Sequence, residues 1–505
     1  MAIGSTAVAG SFKTMRSAWP VFGPMPAHCG GPDTDRGVGS RLNTAAKILT
    51  GAALAAAVLV VWLNWGYLES SRLSLKATAW GHAFLLFGEC LLALKLGYLL
   101  WLLLLVRRYR PVPACSDAEL PVCTVVVPAY NEGRQILASL RSLAGSEYPS
   151  AKLEIIAVDD GSRDDTWHWM CAARRELGER IVTLQLPRNQ GKRRALYEGF
   201  MRGRGAVMVS VDSDSVVEPG TLRRLVAPLV RDPRVGGVAG NVRVLNVHGG
   251  PIPRMLNVCF TFTFEFMRAA QSGVNTVLCQ PGALAAFRRD VLLKVLPGWL
   301  VQTFMGRPAN IGEDRALTNL ILRDGYHVLF QSDAVAYTQV PTRYGELCRM
   351  LIRWARSSIR EDISMTGFAF RRFRRTPVSG TRVILTAQWL VTLGIPFMLT
   401  GILAGLWWRW DAFLITVLGG MVIWSTVPGI FYLLRYRSHE AVWIYAFAAF
   451  AFVGLSWISP FSLVTIHRSG WLTRQTAGDG KAETAEFRPA LLASGSGSGR
   501  GSLAA

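Results

Sequence analysis

Long apolar runs at both ends of a charged central block constrain this chain more than any other feature. The first two runs cover about 46–65 and 80–106. Each reaches the ~20 residues that a helix needs to cross a bilayer. Three more follow at about 383–403, 412–434 and 442–466. A soluble protein would spread its apolar residues at helix or strand period instead. We therefore expect membrane helices on both sides of a soluble domain.

The excess of basic residues indicates the orientation of these helices. The formal net charge is +21, and arginines flank the apolar runs at 107–110 and 371–375. Such flanks are typical of cytoplasmic loops facing anionic lipid headgroups. We predict a multi-pass protein of the inner (plasma) membrane whose central domain is cytoplasmic. Nucleic acid is not expected as a partner, because no nucleic-acid-binding motif accompanies the charge. The eight cysteines show neither C-x-x-C pairs nor zinc spacing, which favours a reducing compartment.

The central block predicts an α/β fold. Short β-branched runs at 123–128, 153–159, 181–186 and 206–211 alternate with helical patterns. Alternation of this kind predicts a mostly parallel sheet with helices on both faces. The predicted organisation is a disordered tail (1–43), two transmembrane helices (44–110), the α/β domain (121–344), interfacial amphipathic helices (345–376), C-terminal transmembrane helices (381–468) and a C-terminal tail (469–505).

Polar motifs follow each of the four predicted strands. Their sequences are PAYNE (128–132), DDGS (159–162), NQGKR (189–193) and DSD (212–214). In an open parallel sheet the carboxyl ends of the strands converge on one crevice, where ligands bind. A lone D-x-D is usually a solvated turn, but four polar motifs in register on successive strands indicate a binding site.

This set of residues suits a nucleotide diphosphate with a divalent cation. Asp212 and Asp214 offer hard oxygen ligands to Mg²⁺ or Mn²⁺, and phosphates would complete the coordination shell. Lys192 and Arg193 can neutralise the leaving diphosphate. Asp159 or Asp160 can accept hydrogen bonds from the base or ribose.

A second acidic motif, Gly312-Glu313-Asp314-Arg315, precedes another helical pattern. A transferase that inverts an anomeric centre needs a general base to deprotonate the acceptor hydroxyl. Asp314 is our candidate for that base. It is also placed to act as a helix N-cap, and the two roles are compatible.

The order of these motifs resembles that of the processive family 2 glycosyltransferases, above all hyaluronan synthases and rhizobial chitin-oligosaccharide synthases. The resemblance covers about residues 50–475 and includes Arg353-Trp354, the runs at 235–246 and 264–273, and Trp471 to Arg474. It implies a GT-A-like fold and a UDP-sugar donor. It also implies a growing glycan as acceptor and contact with membrane lipid.

The same resemblance implies roles for single residues. Asp314, with Glu313 beside it, would be catalytic, and Asp214 with Asp212 would hold the metal. Cys279 and Trp354 would contact the acceptor sugar, and Trp471 and Arg474 would belong to a gating loop. The nucleotide-sugar site would comprise Ala129, Tyr130, Glu132, Asp159, Asp160, Lys192, Arg193, Asp212 and Arg353.

Two departures from the family pattern affect the acceptor region. Met350 stands where the family has glutamine, and a thioether cannot donate the amide hydrogen bonds. The family's Cys-x-Gly-Pro is altered to Cys279-Gln280-Pro281-Gly282. We therefore expect the reaction type to be kept and leave the polymer open between hyaluronan-, chitin- and glucan-like products.

Other functions compete with polymer synthesis. A non-processive transferase with a lipid acceptor would use the same donor site. A catalytically dead scaffold would not need the acidic residues, and a passive transporter would not need a nucleotide crevice.

Two features of the apolar runs allow alternatives. Glu89 and Lys95 in the second run would line a polar pathway, or else snorkel or face a neighbouring helix. Three late spans would place Trp471 outside the cell. Either one late segment is re-entrant or interfacial, or the Trp471 motif is not a gating loop.

Overall fold

The computed structural model describes residues 36–468, with side chains from Thr44 onwards. An eight-stranded sheet forms the centre of the soluble domain, and a two-stranded hairpin lies beside it. The strands are β1 (Cys123–Ala129), β2 (Leu153–Asp159), β3 (Ile181–Gln185), β4 (Val207–Ser210), β5 (Val216–Val217), β6 (Val235–Val244), β7 (Ala285–Arg288), β8 (Thr303–Phe304), β9 (Arg307–Pro308) and β10 (His327–Thr338).

Helices occupy both faces of the sheet and both ends of the chain. In chain order they are α1 (Arg36–Leu63), α2 (Trp65–Lys76), α3 (Ala79–Arg108), α4 (Ile136–Ala144), α5 (Thr166–Leu177), α6 (Lys192–Arg202), α7 (Thr221–Arg231), α8 (Pro251–Phe260), α9 (Met267–Ser272), α10 (Arg289–Leu300), α11 (Glu313–Arg323), α12 (Tyr344–Ala369), α13 (Ser379–Tyr436), α14 (Trp443–Phe450) and α15 (Ile458–Val464).

The sheet is mostly parallel, as predicted. Its strand order is β3-β2-β1-β4-β7-β6-β10-β5, with β7 antiparallel between β4 and β6. Alternate residues of a strand face opposite sides. In β1, Val125 and Val127 therefore enter one core with α4, α5 and α7, while Val126 enters the other with α6, α10 and α11. Because β1, β2 and β4 are parallel neighbours, the loops after them meet at one edge.

Three helices of the described chain are long and apolar enough to cross a membrane: Thr44–Leu63 within α1, then α3 and α13. Helix α1 begins at Arg36, ahead of the predicted boundary at residue 44. Its large apolar side chains remain exposed, among them Leu59, Trp62 and Leu63. Exposure of this kind is stable only against lipid or another apolar surface. The chain therefore carries several helices suited to span a membrane.

Helix α13 is long enough for two membrane passes and is bent into two arms. Its 58 residues would extend about 87 Å at 1.5 Å per residue, nearly three times the ~30 Å hydrocarbon core. The backbone breaks at Arg409, where φ is −151° and ψ is 78°. Trp389 bonds Thr366 of α12 at 2.8 Å, whereas Trp408 contacts Trp80 at the start of α3, with ring centroids 6.4 Å apart.

The second half of α13 then returns to the side of the soluble domain. Near its end Tyr432 accepts a hydrogen bond from Asn257 of α8 at 2.9 Å. The predicted spans 383–403 and 412–434 are thus the two arms of one helical hairpin.

The last predicted span, 442–466, differs from expectation. It is divided into α14, a π-helical turn (Ala451–Leu455) and α15, with a 44° bend between the two parts. Ile444, near its start, packs with Val258 of α8. Thr465, which directly follows α15, accepts a hydrogen bond from Arg356 of α12 at 2.8 Å. Both ends therefore contact elements that adjoin the soluble domain, which favours the re-entrant or interfacial alternative.

The two charges in the second apolar run face outward. Glu89 forms an ion pair with Arg72 of α2 and is half exposed. Lys95 is exposed on the same helix, α3. The contact with α2 favours the neighbouring-helix alternative for Glu89 over a polar pathway.

We predict that the end of the described chain lies on the same side of the membrane as the soluble domain, because the two arms of α13 would cross the membrane once in each direction and the bent segment 442–466 would return to the side from which it entered. Single cysteines can be placed at the exposed positions Ala77, Arg163 and His467 in a variant without native cysteines. An impermeant maleimide on intact cells should label Ala77→Cys and leave the other two unlabelled until the membrane is opened. Labelling of His467→Cys on intact cells would contradict the re-entrant path.

Candidate active site

Hydrogen bonds join the loops that follow β1, β2 and β3. Asp160 accepts from the backbone N–H groups of Gln190 and Gly191, both at 2.8 Å, and its own N–H donates to the carbonyl of Ala129 at 2.8 Å. The Asp160 side chain is buried, and burial raises its pKa to about 6. This carboxylate therefore holds the NQGKR loop against the end of β1.

Asp159 has a comparable position. It is fully buried and accepts from the N–H of Ser162 and from the Gln185 side chain, both at 3.0 Å. Both carboxylates of the DDGS motif therefore have protein donors, which favours a role in shaping the donor loops. Direct contact of either one with a nucleotide stays a prediction.

The PAYNE loop is fixed to the DDGS loop in the same way. The N–H of Glu132 donates to Thr166 Oγ1 at 2.8 Å, and the N–H of Asn131 donates to Ser162 Oγ at 3.0 Å. Asn131 has a positive φ of 53°, a conformation that asparagine tolerates well. Tyr130 is buried directly after Ala129, the last residue of β1. These residues therefore line the predicted crevice at its first strand.

Lys192 joins the D-x-D motif to the second acidic motif. Its ammonium lies 2.5 Å from Asp212 Oδ1 and 3.4 Å from Glu313 Oε1. Burial alone would lower the pKa of Lys192, but the two carboxylates raise it above its ordinary value. A Cβ at Gly282 would come within 2.5 Å of the ammonium, so the altered Cys-x-Gly-Pro segment packs directly on this ion pair. The structure thus brings together residues from three distant predicted motifs.

Arg193 is placed differently from its neighbour. Its guanidinium donates to the carbonyl of Trp299 at 2.6 Å and to the side chain of Gln302 at 3.2 Å. It also lies 5.1 Å from the centre of the Trp299 ring. Residues 192 and 193 begin α6 and point in different directions, as successive helical residues do. The geometry favours a supporting role for Arg193, and contact of Lys192 with a diphosphate stays a prediction.

The donor atoms after β4 suit a divalent cation. Asp212 already accepts the Lys192 ammonium, and Asp214 accepts from Thr338 Oγ1 at 3.3 Å. Within residues 36–468 no group of three or more histidine, cysteine or acidic side chains could hold a metal alone. Mg²⁺ is commonly held by one or two carboxylates together with substrate phosphates. The pair therefore fits an ion that arrives with a diphosphate.

Asp314, the predicted base, lies at the start of α11 in a crowded polar setting. The Cys279 thiol donates to its Oδ2 with a sulfur–oxygen distance of 3.4 Å. Burial and the adjacent Glu313 carboxylate raise the pKa of Asp314, and Lys192 offsets part of that rise. Burial also raises the pKa of Cys279, so the thiol remains protonated and can donate. A carboxylate with a raised pKa is suited to general-base work.

An aromatic cluster connects this base to the predicted acceptor residue. Trp354 of α12 lies 5.8 Å from Phe260 and 6.1 Å from Phe264, measured between ring centroids. Phe264 lies in a π-helical turn (Thr261–Phe266) and carries the buried Arg268 over its ring at 4.5 Å. The Arg268 guanidinium interacts electrostatically with Cys279 and Asp314. Arg268 and the Phe264 ring therefore lie between the predicted base, Asp314, and Trp354.

Met350 is buried in an apolar cluster with Leu347, Ile352, Val340 and Phe260. A methionine packs well in such surroundings, where a buried amide would need partners. The departure from the family's glutamine therefore matches its local environment. Arg353 and Trp354 follow on the same helix and are half-buried. The predicted gating residues Trp471 and Arg474 lie outside the described residues.

Sequence reasoning missed several polar residues around this site. No role was predicted for Arg268, although it lies in the run 264–273, nor for Gln302, Asn319, Glu361 and Asp362. Glu361 and Asp362 are adjacent acids in the basic helix α12, and that contrast in charge was the available signal. All of them except Gln302 are buried.

The chain has clear relatives among known proteins. The family model described as glycosyltransferase-like family 2 matches residues 121–357. The chain is 31% identical over 365 residues to an N-acetylglucosaminyltransferase of Rhizobium sp. (strain N33), across 71% of this chain and 78% of that relative. A protein with the same name from Neorhizobium galegae is 31% identical over 375 residues, across 73% and 83%.

Among solved structures, a mannosyltransferase from Pyrobaculum calidifontis in complex with GDP-Man and Mn²⁺ aligns with a TM-score of 0.48 and 22% identity. The alignment covers 80% of this chain and 98% of that one. With identity above 30% over most of the length of several relatives, the chain belongs to the family 2 glycosyltransferases.

Proposed function

We propose that this chain is a membrane-embedded inverting glycosyltransferase that polymerises N-acetylglucosamine from UDP-N-acetylglucosamine into a β-linked glycan. The relatives are named for N-acetylglucosaminyl transfer, which supports this choice among the UDP-sugars. The observation that carries the proposal is the contact of Lys192 with both Asp212 and Glu313. This contact supports a site in which Lys192, the proposed diphosphate-binding residue, lies against the neighbour of Asp314, the proposed base.

The donor side of the proposed site handles the leaving group. Asp212 and Asp214 would hold Mg²⁺ or Mn²⁺, which when bound would supply charge neutralisation for the diphosphate. Lys192 would donate hydrogen bonds to phosphate oxygens from its position beside Asp212. Arg353, on α12, would pair with the diphosphate from the acceptor side.

The acceptor side completes the transfer. The hydroxyl oxygen of the acceptor forms a bond to the anomeric carbon as the bond from that carbon to the phosphate oxygen breaks, and UDP leaves. Asp314 takes the hydroxyl proton. Cys279 would hold the Asp314 carboxylate through its thiol hydrogen bond until the acceptor hydroxyl arrives. Trp354 would present its indole face to the terminal sugar ring.

The arrangement of helices also supports a membrane product path. Trp354 packs with Phe264 of one π-helical turn, and Ala451 and Leu455 of the other belong to the same cluster. Such turns occur frequently at functional sites. We place the soluble domain in the cytoplasm because arginines flank its junctions with the helices. The glycan would then pass from Trp354 toward the helices and across the membrane.

The first test identifies the product. Isolated membranes containing the chain should convert radiolabelled UDP-N-acetylglucosamine into a chitinase-sensitive glycan that does not extract into organic solvent. Label that instead extracts into organic solvent would point to the lipid-acceptor alternative. Membranes carrying Asp314→Asn serve as the control, and absence of any transfer by the unaltered chain would support the scaffold alternative.

The second test concerns the metal. Asp214→Asn removes one of two hard carboxylate ligands, so metal-dependent transfer should fall by at least about a hundredfold. Asp117→Asn, which alters an exposed carboxylate paired with Arg223, should leave transfer nearly unchanged. Turnover that persists in excess chelator would rule out the assignment.

The third test concerns the base. Asp314→Asn should bind UDP normally but transfer sugar at least about a hundredfold more slowly, the low end of general-base contributions. Because only the ionised carboxylate accepts a proton, the unaltered enzyme should lose activity as the pH falls through the raised pKa of Asp314. That loss should begin above the ordinary aspartate value of about 3.9. The contrary result is loss of UDP binding, which would assign Asp314 to the donor site.

A further inference from the structure

We infer that Glu361 is a positioning residue that fixes the acceptor helix α12 relative to the base. The inference rests on the proposed function, since it concerns the distance between Asp314 and the acceptor sugar on Trp354. Glu361 contacts neither sugar nor nucleotide. It would act through the orientation of the helix that carries Trp354.

Glu361 and Trp354 share one face of α12. They are seven residues apart, and at about 100° per residue two full turns bring them to within about 20° of each other. Ser357 lies between them on that face. Ser357 and Glu361, which contact α11 and the residue before it, therefore lie on the same face of α12 as Trp354.

The two helices approach each other closely at Gly312. Gly312, which precedes α11, has a φ of +76°, and a Cβ there would come within 1.8 Å of Ser357 Oγ. Two turns further along, Asn319 Nδ2 donates to Glu361 Oε2 at 2.8 Å and to the Glu361 carbonyl at 2.9 Å. Arg315 forms an ion pair with Asp362 beside it. Every residue of this contact comes from the helix of the base or the helix of the tryptophan.

A third element joins Glu361 to the donor side. Gln302 donates to Glu361 Oε1 at 3.1 Å and accepts from Arg193 at 3.2 Å. Arg193 adjoins Lys192, which contacts Asp212. Trp299 Nε1 donates to the carbonyl of Glu313 at 2.8 Å. One connected set of hydrogen bonds therefore spans the donor loop, the base and the acceptor helix.

The residues that join α11 and α12 are buried, which restricts their hydrogen bonds to one arrangement. Asn319, Glu361 and Asp362 are each no more than 4% exposed, and Arg315 is 7% exposed. Water cannot substitute for a lost partner at such positions, so the groups keep one arrangement. Surface ion pairs nearby lack that constraint. A displacement of about 1 Å at a reacting centre can cost on the order of a hundredfold in rate.

The experiment exchanges donor and acceptor across the α11–α12 contact. Glu361→Gln places an NH₂ group against either Asn319 or Gln302, whichever way the new amide turns. Asn319→Asp faces the carboxylate with another carboxylate. The double variant, Glu361→Gln with Asn319→Asp, restores one donor opposite one acceptor. The hydrogen bond from Asn319 to the Glu361 carbonyl is not restored, so recovery should be partial.

Two products of radiolabelled UDP-N-acetylglucosamine are counted in each reaction: sugar incorporated into glycan and free sugar released by water. We expect Glu361→Gln to lower incorporation by about ten- to a hundredfold while UDP affinity and release of free sugar stay near those of the unaltered enzyme. The double variant should recover at least about tenfold of the lost incorporation. Asp324→Asn, at the exposed pair with Lys294 at the other end of α11, is the matched control.

Equal loss of incorporation, free-sugar release and UDP binding, without recovery in the double variant, would make the network merely structural and overturn the inference. Unchanged incorporation in Glu361→Gln would overturn it as well. If the unaltered enzyme incorporates no sugar at all, the result contradicts the proposed function itself. That outcome is distinct from a failure of the Glu361 inference, which requires an active unaltered enzyme.

Discussion

The close contact between Gly312 and Ser357 is the constraint on which the rest of the site depends. The base lies at the start of α11, and the Arg353-Trp354 pair lies on α12, so their separation is set where these helices meet. No side chain larger than hydrogen fits at Gly312, and its left-handed backbone is one that glycine adopts freely. Helix α12 leads into α13 through a segment in which Arg374 donates to the carbonyl of Val274 at 2.9 Å. This path connects the membrane helices to Asp314, the proposed base.

Charge balance explains why three carboxylates can lie so close together. Asp212, Glu313 and Asp314 would repel one another if each were ionised alone in a poorly solvated crevice. Lys192 contacts two of them directly, and the Cys279 thiol donates to the third. A diphosphate that carries a divalent cation is close to neutral. Its arrival can therefore rearrange these contacts without leaving a large uncompensated charge.

The sequence allowed the sheet and its polar loops to be predicted, because both depend on local patterns. Strand β2 has the bounds expected from its β-branched run, 153–159. The roles of Asp160 and Arg193 could not be read in this way. Whether a carboxylate faces a ligand or a neighbouring loop depends on tertiary contacts that residue type does not encode. Asp160 turned toward the N–H groups of another loop, and Arg193 toward the carbonyl of Trp299.

The same limit applied to the apolar runs. Hydropathy located the two arms of α13 and the apolar run 442–466, but it could not show that this run is divided by a 44° bend. The two ends of this run contact α8 and α12, and hydropathy along the sequence carries no information on such tertiary contacts. Glu361 illustrates the opposite case. Its adjacent acid and basic surroundings were visible, yet its partner Asn319 was 42 residues away in the chain.

The hairpin of α13 has a consequence for how the chain enters the membrane. The hairpin begins and ends beside the soluble domain, so the turn around Arg409 is the part that would have to cross the hydrocarbon layer during insertion. That turn carries two opposite charges, Arg409 and Asp411, which lie 3.5 Å apart and share Tyr67 as a neighbour. Paired charges are far less costly to bury than isolated ones. A hairpin of this kind can insert without moving the soluble domain across the membrane.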